Sequence, residues 1–334
     1  MKRQIVLGFG LAALLLVALV SFVGRQDVLS ELAAANYRIL ALGLVSGLLA
    51  LIFRGLVWIR SISTVAEGVS RRRIGSLFLT AMFLKYVTPY GQLATEPFVA
   101  YLVSYDEEMA YEDGFAGIVS ADLLNYIPYY TFGFVAIAAI AAGGAINDMV
   151  AQLFAFGGLF VVVVALAVLV LQRPGIVYWI VLTATGIARS LLGRVTDRFD
   201  DVLSRAAVTD RLDGFYDAVG TITRDRKTLA VSVLYAHLGM AFLMLPVYIA
   251  AVGLGYEIGL PIVALVVALG KLGFVVPSPG GVGGVEAMVT GGLVAFGGLS
   301  GAAALTIALI FRLCTYWLTI AVGGLASIGV LAHT

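Results

Sequence analysis

Six apolar runs are long enough to cross a bilayer, whose core takes roughly 20 helical residues. They are Ile5–Val23, Ile39–Ile59, Phe115–Ala142, Val150–Leu171, Leu229–Leu254 and Ala302–Leu331. Four shorter apolar pieces, Ile74–Val87, Gln92–Val103, Pro261–Val276 and Val285–Phe296, fall below that length and suit re-entrant half-helices joined in pairs. Each joint is a Pro/Gly tip. The first reads Pro89-Tyr90-Gly91 with Glu96 seven residues after the proline; the second reads Pro279-Gly280-Gly281 with Glu286 at the same spacing. An ionisable residue follows each glutamate by 26 positions inside a long apolar run, Asp122 in one copy and Arg312 in the other. Broken apolar segments at matching positions of two halves are the sequence mark of a transporter binding site. The pattern predicts an all-α polytopic membrane protein of six spanning helices and two re-entrant helical hairpins forming an inverted repeat. Residues 1–334 make a single membrane domain, with a first repeat at 74–142, an insert at 172–228 and a second repeat at 261–331.

Composition agrees with this reading. Of 334 residues, 61% are hydrophobic and 12% charged, with mean hydropathy +1.03, against about 45–50% apolar and about 25% charged in ordinary globular domains. A net charge of +1, with basic residues scattered over loops, offers no nucleic-acid surface. One cysteine, Cys314, excludes an intramolecular disulfide or a thiolate metal site, and the two histidines, His237 and His333, are too few and too far apart for a zinc centre. No cofactor and no catalytic domain are expected; His237 and Cys314 read as packing residues. Lys2-Arg3 precedes the first run, but that run is long and lacks a small-residue cleavage motif, so it is expected to stay as a first helix.

Charge decides the topology. If both short pairs are re-entrant, the N-terminus and the loops 60–73 and 172–228 share one side and gather fifteen of the 21 Lys and Arg residues, leaving Arg25 and Arg38 on the other. If the pairs cross, the basic loops fall on opposite sides. Because Lys/Arg bias sets orientation, the re-entrant topology is expected, with both termini cytoplasmic in the cell membrane. Three crossings then separate the hairpins, so they enter from opposite faces, as in inverted-repeat transporters. An offset of 190 residues also matches Leu123 with Leu313, Tyr126 with Tyr316 and Gly133 with Gly323. In the insert, charges of both signs alternate with apolar positions from Arg194 to Asp213. Two readings fit: an amphipathic helix on the anionic inner leaflet or a solvated helical linker.

Seven ionisable residues lie within the apolar segments: Arg54, Lys85, Glu96, Asp122, Lys271, Glu286 and Arg312. Unpaired, at roughly 2.5–3.5 kcal/mol each near the centre, they would cost on the order of 20 kcal/mol, more than the roughly 5–15 kcal/mol that holds a domain together. Most must pair, face water or sit shallow. Asn125, Tyr126 and Tyr129 share one helix face with Asp122, and Thr315, Tyr316 and Thr319 share one with Arg312. These faces predict a hydrated interior that binds a head group or moves protons; the competing reading is a set of static interhelical contacts. Glu96 and Glu286 fall in the first turn after each tip, where the helix dipole alone stabilises a carboxylate. Lys85, Lys271 and Arg54 are placed to snorkel toward the head-group level. The glycines of Pro277-Ser278-Pro279-Gly280-Gly281-Val282-Gly283-Gly284 expose backbone N–H groups ahead of a half-helix, which suits an anion, phosphate above all. A bare chain reversal is the alternative.

Pro277-x-Pro279-Gly280-Gly281-Val282-Gly283-x-x-Glu286, followed by Arg312-x-x-x-Tyr316-Trp317, resembles the transmembrane region of the lysylphosphatidylglycerol synthase/flippase family, which also supplies the membrane part of some archaeal dolichol-linked glycosyltransferases. The likeness runs from about Ile39 to Leu331. It implies a lipid flippase without synthase activity, since aminoacylation in the two-domain relatives belongs to a separate soluble domain. It also implies that Pro279, Gly280, Gly281, Glu286 and Arg312 line a head-group cavity. The first hairpin departs from the family pattern, with Gln92, Thr95 and Glu96 where a basic residue is usual, so the head group stays open. The candidate substrate-binding set is Pro89, Gly91, Glu96, Asp122, Asn125, Tyr126, Lys271, Pro279, Gly280, Gly281, Gly283, Glu286, Arg312 and Tyr316. Three functions remain: translocation of a phospholipid or polyprenyl-linked lipid between leaflets, driven by a lipid or ion gradient; secondary transport of a small soluble anion; and a non-transporting membrane partner of a glycosyltransferase or synthase. The expected partners are membrane lipids. A separate lipid-modifying enzyme or glycosyltransferase, and a second copy of the chain as a homodimer, are left open.

Overall fold

The computed structural model describes residues 2–65, 68–88, 111–142, 173–192 and 204–331, with 158 and 162 as isolated helical positions. Twelve α-helices and no strand are found among the described residues. They are α1 (Lys2–Val23), α2 (Arg25–Ala34), α3 (Tyr37–Val65), α4 (Arg71–Val87), α5 (Tyr111–Ala142), α6 (Pro174–Leu192), α7 (Arg205–Arg224), α8 (Arg226–Gly253), α9 (Leu260–Gly270), α10 (Gly284–Gly297), α11 (Gly301–Arg312) and α12 (Leu318–Leu331). Two 3-10 turns, Lys271–Val275 and Pro279–Gly281, separate α9 from α10, and a π-helical turn, Leu313–Trp317, joins α11 to α12.

Among the described residues, five helical stretches are long and apolar enough to cross a membrane: Tyr37–Val65, Tyr111–Ala142, Arg226–Gly253, Pro279–Gly297 and Gly301–Val330; Phe9–Val23 with Arg25–Ala34 is a sixth if that pair, bent by 88°, counts as one. The chain is therefore an all-α polytopic membrane protein. The bend falls at Gly24, with φ at 114°. The expected span Val150–Leu171 and the returning arm Gln92–Val103 lie outside the described residues, apart from positions 158 and 162.

Pro279–Gly297 passes as a span by length, yet it packs antiparallel on the segment before it. A Cβ on Gly292 would lie 2.9 Å from Val266, one on Gly270 3.1 Å from Val289, and one on Gly273 2.3 Å from the backbone of Val285. The chain thus doubles back, and α9 and α10 are the two arms of a helical hairpin. Small residues allow this approach, as is usual where apolar burial between helices gives little drive.

Two cores flank the long α3. Val247, Val263, Val266, Val289, Leu293, Ile307 and Phe311 join α8 to the second hairpin and α11, while Trp58, Ile62, Ile74, Leu77, Phe78 and Ile118 join α3 to α4 and α5. α4 lies along α12, where Gly323 admits the backbone of Leu79. In the insert, α7 buries Val208, Ala218, Val219 and Ile222; Ala218 and Val219 pack with Ala116 of α5. That part of its apolar face is occupied by protein; residues 194–203, where the reading of the insert as a leaflet helix or a solvated linker begins, lie outside the described residues. The Tyr178 hydroxyl of α6 donates to the Asp213 carboxylate of α7, and the Tyr178 ring stacks on Tyr216 at 5.9 Å.

Candidate functional site

Two buried charge clusters sit side by side. The first surrounds a small cavity of about 30 Å³ lined by Arg54 of α3, Met82, Lys85 and Tyr86 of α4, Asp122, Asn125, Tyr126 and Tyr129 of α5, and Lys271 and Phe274 of the 3-10 turn after α9. Asp122 forms a buried ion pair with Lys85 and accepts a 2.9 Å hydrogen bond from Trp58 Nε1. Asn125 Nδ2 donates to the Arg54 carbonyl at 3.4 Å. The Lys271 ammonium lies 4.5 Å from the ring centres of Tyr126 and Phe274 and 5.4 Å from that of Tyr129. Such an aromatic cage stabilises a cation through the ring quadrupoles. Its Nζ also reaches the Tyr126 hydroxyl at 3.4 Å.

Arg54, Lys85, Lys271 and Asp122 are the charged groups among the described lining residues. Arg54 Nε is shut from solvent with no hydrogen-bond partner among the described residues, as is Asn125 Oδ1. A buried donor on a charged group is costly unless it is paired, so Arg54 Nε is suited to an anion's oxygen.

The second cluster is the tip of the second hairpin. Gly280, Gly281 and Gly283 have φ of 57°, 66° and 88°, the left-handed region that glycine adopts at little cost. Gly280 has a second reason to lack a side chain, since a Cβ there would lie 2.1 Å from the Tyr316 ring. Glu286, in the first turn of α10, accepts from the Gly283 N–H at 2.8 Å. Its other oxygen accepts from Arg312 Nε at 2.9 Å, and the same guanidinium donates to the Gly280 carbonyl at 2.7 Å. The Arg312 guanidinium also lies 4.3 Å from the Tyr316 ring centre. Arg312 and Glu286 are 4% and 2% exposed, so the pair holds the tip from inside. The π-helical turn that starts at Leu313 carries Tyr316, whose ring lies 5.4 Å from Tyr86 of the first cluster. Tyr86 and Phe274 therefore place the glycine tip against the cavity.

The structure brings Asp122, Asn125, Tyr126 and Lys271 together at the cavity, and Pro279, Gly280, Gly281, Gly283, Glu286, Arg312 and Tyr316 together at the tip. Pro89, Gly91 and Glu96 lie outside the described residues. Asp122 and Arg312 each take a different partner. Lys85 is 6% exposed and paired rather than snorkelling, and Lys271 turns its head group into the aromatic cage. Thr315 and Thr319 donate to the carbonyls of Phe311 and Thr315 on their own helix, so the polar face after Arg312 contributes only Tyr316 to this region. Sequence reasoning assigned Arg54 to snorkelling, whereas its Nε is buried in the cavity lining, and passed over Trp58, Tyr86 and Phe274. Arg54 and Trp58 share a face of α3 at i, i+4, a signal that was available. Tyr86 and Phe274 gave none beyond adjacency to a lysine or a tip. His237 is satisfied by Val233 and Thr131, at 2.8 and 3.0 Å.

The family model of the lysylphosphatidylglycerol synthase TM region matches residues 5–323. Two relatives, each a UPF0104 membrane protein of Methanothermobacter thermautotrophicus, align with the chain. One is 31% identical over 128 residues, covering 38% of this chain and 36% of its own length. The other is 21% identical over 328 residues, covering 96% of this chain and 94% of its own.

Proposed function

Because the chain belongs to the lysylphosphatidylglycerol synthase transmembrane-region family, we propose that it moves a phospholipid or polyprenyl-linked lipid between leaflets, its phosphate-bearing head group passing through the cavity beside the hairpin tip. The observation that carries this is Arg54 Nε, which is shut inside the cavity lining with no hydrogen-bond partner among the described residues. A phosphate oxygen in the cavity would accept from it. A cavity of about 30 Å³ is far below the roughly 300–1,000 Å³ of small-molecule sites. The proposed cycle takes this conformation as its closed member. Both hairpins are re-entrant from opposite faces of the cell membrane, the halves form an inverted repeat, and both termini are cytoplasmic. The reading has the protein act as a transporter without catalysing a covalent step.

Reconstitution into liposomes carrying fluorescent lipids of several head groups tests this. The expected result is protein-dependent movement of at least one phosphate-bearing lipid above protein-free vesicles. Movement equal to empty vesicles for every lipid, together with protein-dependent uptake of a soluble anion such as inorganic phosphate, would replace this function with solute transport.

A further inference from the structure

A second basic site lies at one end of the bundle and shares no residue with the inner cavity. A groove of about 750 Å³ runs between the last turns of α3 and the first turns of α4 and α8. Among the described residues its charged lining is Arg60, Arg71, Arg72 and Asp225, three cations against one anion. Arg60 is six residues beyond Arg54 on α3, about 9 Å along the axis, so the groove lies outside the cavity and nearer the end of the bundle.

Asp225 is already committed. Its carboxylate caps α8, accepting from the N–H groups of Lys227 and Thr228 at 3.1 Å. None of the three arginines makes an ion pair with a described residue. Arg71 and Arg72 also stand in the first turn of α4, which has no acidic residue. The helix dipole favours anions there and disfavours cations. The sequence therefore gathers guanidinium groups where α4 is least able to tolerate them, which is the arrangement expected if an external anion completes the site.

The groove is also amphipathic. Leu56 and Ile59 form its apolar wall. From that wall an exposed apolar stripe, Val45, Leu48 and Ile52, runs back along the same face of α3. From Leu56 to Val45 it extends about 16 Å, roughly half of a ~30 Å hydrocarbon core. Free phosphate would use the arginines only. A lipid would use both, with phosphate on the guanidiniums and an acyl chain along the stripe.

We propose that this groove holds the phosphate head group of an anionic membrane lipid, bound at a site separate from the transport pathway. Basic pockets between membrane helices commonly take such head groups, and planar guanidiniums match phosphate oxygens.

The test is native mass spectrometry of the full chain released from micelles doped with equal amounts of phosphatidylglycerol and phosphatidylcholine. Wild type is expected to retain the anionic lipid in preference. The preference should fall roughly fivefold for each arginine lost, the effect of one cation near an anionic surface, in R71Q and in R71Q/R72Q. Asp225→Asn keeps a good helix cap and removes the acid, so it should raise retention; this gain does not depend on a weakened variant folding. Arg38→Gln, an exposed arginine at the opposite end of α3 that lines neither site, should leave retention unchanged. Equal retention of the two lipids, insensitivity to the arginine and Asp225 variants, or a loss of retention in Arg38→Gln as large as that in R71Q would overturn the proposal. Displacement of the lipid by millimolar inorganic phosphate would do the same, by assigning the groove to a soluble anion.

Discussion

Arg312 and Glu286 show how a buried charge is made tolerable. Each oxygen of the carboxylate has one donor, and the guanidinium has a carboxylate, a carbonyl and an aromatic face. Removing one partner leaves the other buried and unpaired, which costs about 3–5 kcal/mol. Arg312→Met and Glu286→Gln should therefore each lower the melting temperature sharply in detergent. The double variant Arg312→Met/Glu286→Gln should recover part of that loss, because both charges go together and neither is left buried alone. If the double variant melts as low as the sum of the singles, the two side chains are not coupled as described. The choice of partners was not readable along the chain. Asp122 meets Lys85 from 37 residues away and Trp58 from 64, and only the packing of α3, α4 and α5 makes those neighbours. What the sequence did disclose is that charges at membrane depth had to be paired.

At the level of helices, close approach depends on absent side chains. A Cβ on Gly47 of α3 would lie 1.9 Å from the Cys314 carbonyl in the π-helical turn. Alanine is intrinsically the better helix former by about 1 kcal/mol, but the clash is with backbone, and overpacking costs about 1–3 kcal/mol or more. Gly47→Ala should therefore destabilise, read as a lower melting temperature, whereas Gly291→Ala, with open space around it, should not. The start of α8 gives a pH-dependent counterpart. Hydrogen bonds from Thr228 first, and then from Lys227, hold the Asp225 carboxyl below its ordinary value of 3.8, with Arg60 adding to the effect. A depressed folded pKa means that the stabilisation is present above pH 3.8 and is lost as pH falls through the lower folded value. Asp225→Ala should remove that acid-sensitive step from a melting-temperature profile; an unchanged profile would show that the cap contributes nothing. The long helices were legible because α3, α5, α8 and the α11–α12 stretch each need an apolar run of bilayer length, and the tip glycines marked the doubling back of α9 and α10. The polar α2 and the docking of α7 were not. A short helix and an amphipathic face do not reveal what they pack against.

For the molecule as a whole, the tip clamp, the aromatic cage and the Lys85–Asp122 pair converge beside one small cavity; the proposed transport would have them open to each side in turn. In an inverted repeat, the two hairpin tips should be reached from opposite compartments. Single cysteines at Tyr90 and at the exposed Pro277, in a Cys314→Ser background, should be modified by membrane-impermeant reagents from opposite faces; modification of both from one face would contradict the inverted topology. The central claim is that the cationic cavity carries the lipid phosphate. Its most direct measurement is the translocation rate of a transported fluorescent lipid in proteoliposomes, compared between wild type and Arg54→Gln at matched incorporation and melting temperature. A charge-assisted hydrogen bond contributes about 1.5–3 kcal/mol, so the account predicts a rate roughly ten- to a hundredfold lower in the variant. Equal rates in the two proteins would contradict it.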